Sequence, residues 1–231
     1  MPTLILDTSG VYATVVVVQD EAVLGYAALK TQPLTHLHDQ IRTMTRQLDL
    51  EMAAFDQIGV VLGPGSWTGL NIGVTAAKTL AQVLRVPVVA LPTLDALVAA
   101  RRWTRGRVCA LLNAKRGNVY CGWYPTDATG LVRLTDGQTG VMPFSAWLEA
   151  LAHEADAPLI VEYGDAYRTQ IEQHRPDGCV DSRDLLSPEG LLLTLQAHQA
   201  NAYTGDDLLP LSPDYMQQTL AERDWPDAQL R

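Results

Sequence analysis

Residues 58–85 constrain the fold of this chain more than any other stretch. An apolar β-type segment at 58–62 runs through a glycine-rich turn, Gly-Pro-Gly-Ser-Trp-Thr-Gly at 63–69, into an apolar helical run at 70–85. A strand, a tight turn and a helix N-terminus in this order leave unpaired backbone N–H groups that can hold an anion. The alternative is that Gly63 and Gly65 only supply positive φ angles for a sharp turn.

Two standard phosphate fingerprints are missing from this turn. A P-loop requires Gly-Lys followed by Ser or Thr, whereas Gly69 is followed by Leu70. The dinucleotide pattern requires glycines at i, i+2 and i+5, but here they fall at 63, 65 and 69. The turn therefore predicts neither of these loops.

A second polar turn, Asp7-Thr8-Ser9-Gly10, lies between an apolar strand at 4–6 and a β-branched strand at 12–19. It places a carboxylate and two hydroxyls at the mouth of a hairpin, which is common turn chemistry. The aspartic-protease motif has the same letters, but the chain holds no second copy, so a protease would require a dimer.

Composition limits the class of protein. The chain has 231 residues, 47% of them hydrophobic, which is enough for a sizeable core. It contains no apolar run of about 18 residues and no basic segment before an apolar stretch at its start, so we expect no membrane span. A net charge of −9 argues against a nucleic-acid binder that acts alone. Three widely spaced cysteines fit buried thiols in the cytoplasm.

Residues 35–50 predict an amphipathic helix. Leu37, Ile41, Met44 and Leu48 step by four, three and four positions and form one apolar face. His36 and His38 stand two apart and would not face the same way on a helix, so the pattern predicts no metal site.

The helix after the glycine turn is apolar on two sides. One side carries Leu70, Val74, Ala77, Ala81 and Leu84, and the opposite side carries Ile72, Gly73, Ala76, Leu80 and Val83. Its own sheet can cover one side, and either a partner or another helix of this chain must cover the other. Gly69, Gly73 and Ala76 would permit the close approach of a second helix.

The order of elements suggests two similar halves. A strand at 22–29, a strand at 86–91 and a helix from 93 to about 102 complete a β-β-β-α-β-α unit. The second half predicts strands at 108–113, 119–124, 131–134 and 159–162, with helices at 144–155, at 165–174 and from Ser187-Pro188 onward. Leu209, Leu211 and Tyr215 of the tail are expected to pack on the body.

Several of these segments together resemble the bacterial TsaB (YeaZ) family. The similarity rests on Asp7-Thr8-Ser9, on the 63–70 block with Ile72-Gly73, on Ala76 and Lys78, and on His36. It extends to Ala114-Lys115-Arg116-Gly117-Asn118-Val119-Tyr120 and to a diverged Pro213-Asp214-Tyr215-Met216 near the end. Trp67, Asn71 and Asn113 depart from the usual Phe, Arg and Asp of that family.

The resemblance implies an α/β fold of the actin-like ATPase (ASKHA) class, with two ribonuclease-H-like lobes of mixed sheets at 1–103 and 104–231. It implies a non-catalytic dimerisation subunit that binds a TsaD-like catalytic subunit and a TsaE-like ATPase, and that forms a homodimer when alone. That complex installs N6-threonylcarbamoyl on adenosine 37 of tRNAs reading ANN codons, and the subunit would meet tRNA only indirectly. The alternative is an ATP-dependent kinase or metal-dependent transferase of the same fold. A peptidase ranks third, since no nucleophile–His–acid set can be assembled from motif spacing.

Two sets of site residues follow as expectations. No catalytic residue, metal or tightly bound cofactor is predicted, apart from weak ATP or ADP binding at the partner interface. A degenerate phosphate site would comprise Asp7, Thr8, Ser9, Gly63, Gly65 and Ser66. The partner interface would comprise His36, Leu37, Ile41, Met44, Leu48, Leu70, Gly73, Val74, Ala76, Ala77, Leu80 and Leu84.

Overall fold

The computed structural model describes residues 1–30, 36–104 and 106–216 of the chain. Thr35, the expected first residue of the amphipathic helix, lies outside these ranges. Within them, no helix is long and apolar enough to cross a membrane.

The first half of the chain forms a five-stranded mixed sheet with the order β3-β2-β1-β4-β5. Central β1 pairs antiparallel with β2 and parallel with β4, and all five of its residues are buried. The strands are β1 (Thr3–Asp7), β2 (Tyr12–Gln19), β3 (Ala22–Lys30), β4 (Gln57–Gly63) and β5 (Val88–Pro92), and the helices are α1 (Leu37–Gln47), α2 (Trp67–Leu84) and α3 (Thr93–Val98).

The second half repeats this topology. Its sheet has the order β10-β9-β6-β7-β8, in which β6 pairs antiparallel with β7 and parallel with β9. The strands are β6 (Val108–Asn113), β7 (Asn118–Tyr124), β8 (Gln138–Pro143), β9 (Leu159–Tyr163) and β10 (Cys179–Arg183), and the helices are α4 (Phe144–Ala152), α5 (Arg168–His174) and α6 (Pro188–His198). Two mixed sheets with one strand order confirm the α/β, actin-like fold of two ribonuclease-H-like units.

The sequence-based prediction was wrong about two strands of the second sheet. The strand expected at 131–134 is absent, and a 3₁₀ turn occupies Leu134–Asp136 before β8. The sequence analysis also missed β10 at Cys179–Arg183. Both observed strands lie at sheet edges and contain few β-branched or aromatic residues, so cross-strand pairing rather than intrinsic propensity determines them.

The two halves share one core. Ile5 and Val16 of the first sheet belong to the same buried cluster as Val108 and Val161 of the second. Helix α6 contacts β5 and α3, and Tyr203 beyond it pairs with Val88 at the edge of the first sheet. Helix α6 and the segment that follows it therefore pack against the first half.

Candidate partner-binding helices and the adjoining cleft

Strand β4 leads into α2 through a turn that is packed against the chain itself. Ser66 caps the helix, and its hydroxyl accepts a hydrogen bond from the Gly69 N–H at 3.3 Å. Gly63 has a φ of 130°, and a Cβ at this position would collide with the carbonyl oxygen of Asp214. Gly63 therefore has the positive φ angle that a sharp turn at this position was expected to require.

Three glycines spaced four apart form a seam on α2 and the turn before it. Gly65, Gly69 and Gly73 all face the β1–β2 turn, where a Cβ would collide with Ser9 or Thr8. The Thr8 hydroxyl donates to the Gly69 carbonyl at 2.7 Å, and the Ser66 N–H donates to the Ser9 carbonyl at the same distance. This corrects the expectation that small residues here admit another helix, because a loop of the same chain already occupies the seam.

Asp7 lies fully buried beneath this seam. Its Oδ1 accepts hydrogen bonds from the Ser9 N–H at 2.8 Å and the Ser9 hydroxyl at 2.7 Å, while its Oδ2 has no hydrogen-bond partner in the described part of the chain. Burial raises the pKa of Asp7 to about 6, and the two bonds from Ser9 offset only part of that effect. Most polar groups of the expected phosphate site therefore bond to one another.

The structure places most of the expected interface residues in the core of the protein. Leu37, Ile41, Met44, Leu70, Gly73, Val74, Ala76 and Ala77 are buried within the chain, whereas Leu48, Leu80 and Leu84 are half-buried and only His36 is exposed. The sequence analysis assigned the apolar face of α1 and residues from both apolar sides of α2 to the partner interface. Most of these side chains pack on the first sheet instead, because the apolar face of that sheet has to be shielded from water by the helices beside it.

The outward face of α2 is an uncharged stripe, of which the sequence analysis singled out only Ile72 and Val83. It consists of Thr68, Ile72, Thr75, Thr79 and Val83, at the spacing of one helical face. Val83 is 75% exposed, and the neighbouring Trp67 is 63% exposed. The signal in the sequence was the row of threonines interleaved with the buried positions. We call this surface the α2 stripe.

Helix α1 presents a charged surface on the same side of the first sheet. Asp39, Arg42 and Arg46 are exposed, as is His38. Arg42 and Asp39 pair at 2.8 Å. The two helices therefore present a charged area and an uncharged area on one side of the protein.

Residues 203–216 cover one flank of α2. The Lys78 ammonium donates to the carbonyl oxygens of Leu209 and Leu211 at 2.7 and 2.9 Å. The Asp214 N–H donates to the Leu62 carbonyl at 2.9 Å. We call residues 203–216 the C-terminal strap. Of the residues expected to pack on the body, Leu211 is buried and Tyr215 half-buried, but Leu209 is 65% exposed because the adjacent Leu208 takes the core position.

A cleft of about 1490 Å³ opens between the two halves. The start of α2 lines one wall, and the β6–β7 hairpin and the end of β9 line the others. In that hairpin Lys115, Arg116 and Gly117 all have left-handed backbone angles, with φ of 64°, 53° and 77°. Across residues 1–30, 36–104 and 106–216, His, Cys, Asp and Glu side chains form no group of three that could hold a metal.

Known proteins match this chain along its whole length. The tRNA threonylcarbamoyladenosine biosynthesis protein TsaB of Bacillus subtilis is 29% identical over 242 residues, which cover 99% of this chain and 100% of that protein. The crystal structure of YeaZ from Pseudomonas aeruginosa is 26% identical, with a TM-score of 0.72 over 91% of this chain and 98% of that one. The chain is thus similar to proteins of the TsaB (YeaZ) family along its whole length.

One further solved structure gives the same result, and a family model matches part of the chain. A second Pseudomonas aeruginosa structure, described as an uncharacterized protein with similarity to peptidase YEAZ, has a TM-score of 0.74 and 26% identity, and covers 94% of this chain and 99% of that one. The family model described as TsaD, tRNA N6-adenosine threonylcarbamoyltransferase, matches residues 34–132, which is less than half of the chain.

The residues that depart from the usual TsaB pattern have defined places. The Asn71 amide donates to the Trp67 carbonyl and to the Tyr215 hydroxyl, both at 2.8 Å, and so joins α2 to the C-terminal strap. Asn113 accepts a hydrogen bond from the Lys115 N–H at 2.7 Å and supports the hairpin. Trp67 stays at the mouth of the cleft, next to the α2 stripe.

Proposed function

We propose that this chain is the accessory, non-catalytic subunit of the complex that installs N6-threonylcarbamoyl on adenosine 37 of tRNAs reading ANN codons. In this proposal it binds a TsaD-like catalytic subunit through the outward faces of α1 and α2. The observation that carries the proposal is the α2 stripe. The whole-length similarity to proteins named for tRNA threonylcarbamoyladenosine biosynthesis supports the pathway.

The α2 stripe has the composition of an interface centre rather than of a solvated helix face. Helix α2 has 18 residues, and Lys78 is its only charged one. That ammonium is already bonded to the C-terminal strap. Interfaces are depleted of charge at their centre and polar at their rim, and the charged surface of α1 supplies such a rim.

The acidic balance of the chain supports an indirect contact with tRNA. A net charge of −9 disfavours phosphate-backbone binding, so the partner would hold the nucleic acid. The TsaE-like ATPase would join the same complex, and a homodimer through the α2 stripe would cover this surface when no partner is present. We also propose that the first lobe, at 1–103, carries the helices that bind the partner.

The proposal is tested by placing a charge in the centre of the α2 stripe. Thr75→Glu and Val83→Glu alter exposed side chains, so the subunit should keep its circular dichroism spectrum and unfolding midpoint. We expect co-purification with the TsaD-like subunit to fall at least about tenfold. Thr169→Glu on α5, also exposed, is the matched control and should leave the complex intact. Full complex formation by both stripe variants would reject this surface.

A second measurement separates the subunit from the enzyme of the same fold. The purified chain is incubated with tRNA, threonylcarbamoyl adenylate and ATP, with and without its partners, and the modified nucleoside is measured by mass spectrometry. We expect product only with the partners. Modification by this chain alone would favour the transferase alternative, which the partial match to the TsaD family model motivates.

A further inference from the structure

Tyr163, the last residue of β9, reaches from the second sheet to the β1–β2 turn of the first. Its hydroxyl lies directly over Gly10, so that a Cβ at position 10 would collide with it. The side chain is only 7% exposed. A residue of one half therefore fills space against the backbone of the other half, at the inner end of the cleft.

The groups around this contact are polar but incompletely bonded. The Tyr163 hydroxyl and the Oδ2 of Asp7 both lack a hydrogen-bond partner within the described ranges. Burial and then the Asp7 carboxylate raise the pKa of Tyr163, which fits a phenol held beside that buried carboxylate. The phenol ring therefore occupies a polar corner in which two buried oxygen atoms have no hydrogen-bond partner among the described residues.

This corner adjoins the start of α2, because the Ser66 N–H donates to the carbonyl of Ser9, the residue before Gly10. The first amides of a helix have no intrahelical acceptor, and Trp67 and Thr68 line the same cleft as Tyr163. The β1–β2 turn closes the seam from one side through Ser9 and Ser66. The Tyr163 ring covers Gly10, the next residue of that turn, from the other side.

We propose that Tyr163 closes the inner corner of the cleft and thereby excludes ligands that need a phosphate group at the start of α2. The ring acts by occupying the space, and the Asp7 carboxylate beneath it adds repulsion of an anion. The outer cleft, with Trp67, Lys30 and Lys115 at its walls, stays open. The inference concerns the cleft and is independent of partner binding through the α2 stripe.

The contact itself is tested by a double-mutant cycle between Gly10 and Tyr163. The three atoms nearest to a Cβ at position 10 all belong to the Tyr163 ring or its hydroxyl, and Gly10 does not need a positive φ. We expect Gly10→Ala to raise the unfolding equilibrium constant at least about tenfold in the wild type and to have little effect in a Tyr163→Ala background. Equal effects in the two backgrounds would overturn the contact.

The exclusion is tested by titration calorimetry with inorganic pyrophosphate at millimolar concentration. The wild type and Asp7→Asn, which both keep the ring, should show no binding, and Asp7→Asn/Tyr163→Ala should bind. Hydrogen exchange of the peptide 8–12 reports whether the corner has opened in each variant. Binding by Asp7→Asn would mean that charge and not the ring excludes the anion, and would overturn the proposal. Absence of binding by a folded double variant with an opened corner would overturn it as well.

Discussion

The hydroxyl of Tyr124 donates a 2.7 Å hydrogen bond to the carboxylate of Asp95, which joins the second sheet to α3 in the shared core. The other carboxylate oxygen of Asp95 lies 2.8 Å from His198 Nε2 on α6. Gly122 and Gly137 form the slot for the Tyr124 ring, since a Cβ at either position would collide with it. One buried carboxylate therefore links three elements from both halves.

Tyr124→Phe should destabilise the protein by about 1–3 kcal/mol, because the buried carboxylate loses a donor that water cannot replace. Urea unfolding measures the change. Combining it with His198→Ala should give a non-additive effect of more than about 0.5 kcal/mol, since both side chains bond to Asp95. Tyr26→Phe, at a tyrosine that is 44% exposed, is the control and should change stability by less than about 0.5 kcal/mol.

Asp7 should make the protein less stable as the pH rises from 4 to 7. Its pKa is raised from 3.8 to about 6 by burial, so the folded state holds the proton more tightly than the unfolded chain. The stability from this group is fully present below pH 3.8 and is lost as the pH rises through 6, by about 3 kcal/mol in total. Asp7→Asn should therefore match the wild type at pH 4 and exceed it at pH 7.

Asp127 is a control for this pH dependence, because its contribution to stability changes with pH in the opposite direction. The Thr129 hydroxyl and the N–H groups of Leu131 and Thr129 lower the pKa of Asp127. The stability from Asp127 is thus present above its unfolded pKa and is lost as the pH falls through its folded pKa. Asp127→Asn should lose stability relative to the wild type at pH 7 and not at low pH. If the two variants gave parallel pH profiles, the assignment to Asp7 would fail.

Gly73→Ala should destabilise the protein by about 1–3 kcal/mol, although alanine favours a helix. The added methyl would collide with the Thr8 hydroxyl, whose side chain is fully buried and bonded to Gly69. Thermal unfolding measures the loss, and Thr8→Ala in the same chain should recover part of it. Gly140→Ala has open space around it and should be near neutral. A fully stable Gly73→Ala would show that the seam between α2 and the turn is loosely packed.

Lys78→Met should release the C-terminal strap from α2. The substitution keeps most of the apolar stem and removes a charged donor to two carbonyl oxygens, at a cost of about 1–3 kcal/mol. Hydrogen exchange at the Asp214 amide, which donates to Leu62, should become faster. Lys115→Met removes an exposed ammonium at the hairpin and should leave that amide protected. Unchanged exchange in Lys78→Met would mean that the strap is held by its apolar contacts alone.

Local rules predicted much of this structure. The strand–turn–helix at 57–84 and the cap of α6 are confirmed, with Ser187 accepting from the Gly190 N–H at 3.0 Å. Edge strand β10 was missed because its polar residues form a strand only when β9 supplies a partner. The direction of the apolar faces of α1 and α2 was also beyond the pattern, since periodicity shows which residues share a face and not what covers it.

The sequence by itself determined the element order of the first half, the glycine turn before α2, the family resemblance and the acidic charge balance. These depend on local backbone preferences and residue counts, which need no tertiary contact. Only the tertiary structure decided that the glycine seam receives Thr8 and Ser9, that Tyr163 covers Gly10, and that the outward side of α2 is a stripe of threonines with Ile72 and Val83. The first two join residues far apart in the chain, which only the folded backbone brings together. The third depends on which side of α2 packs on the sheet.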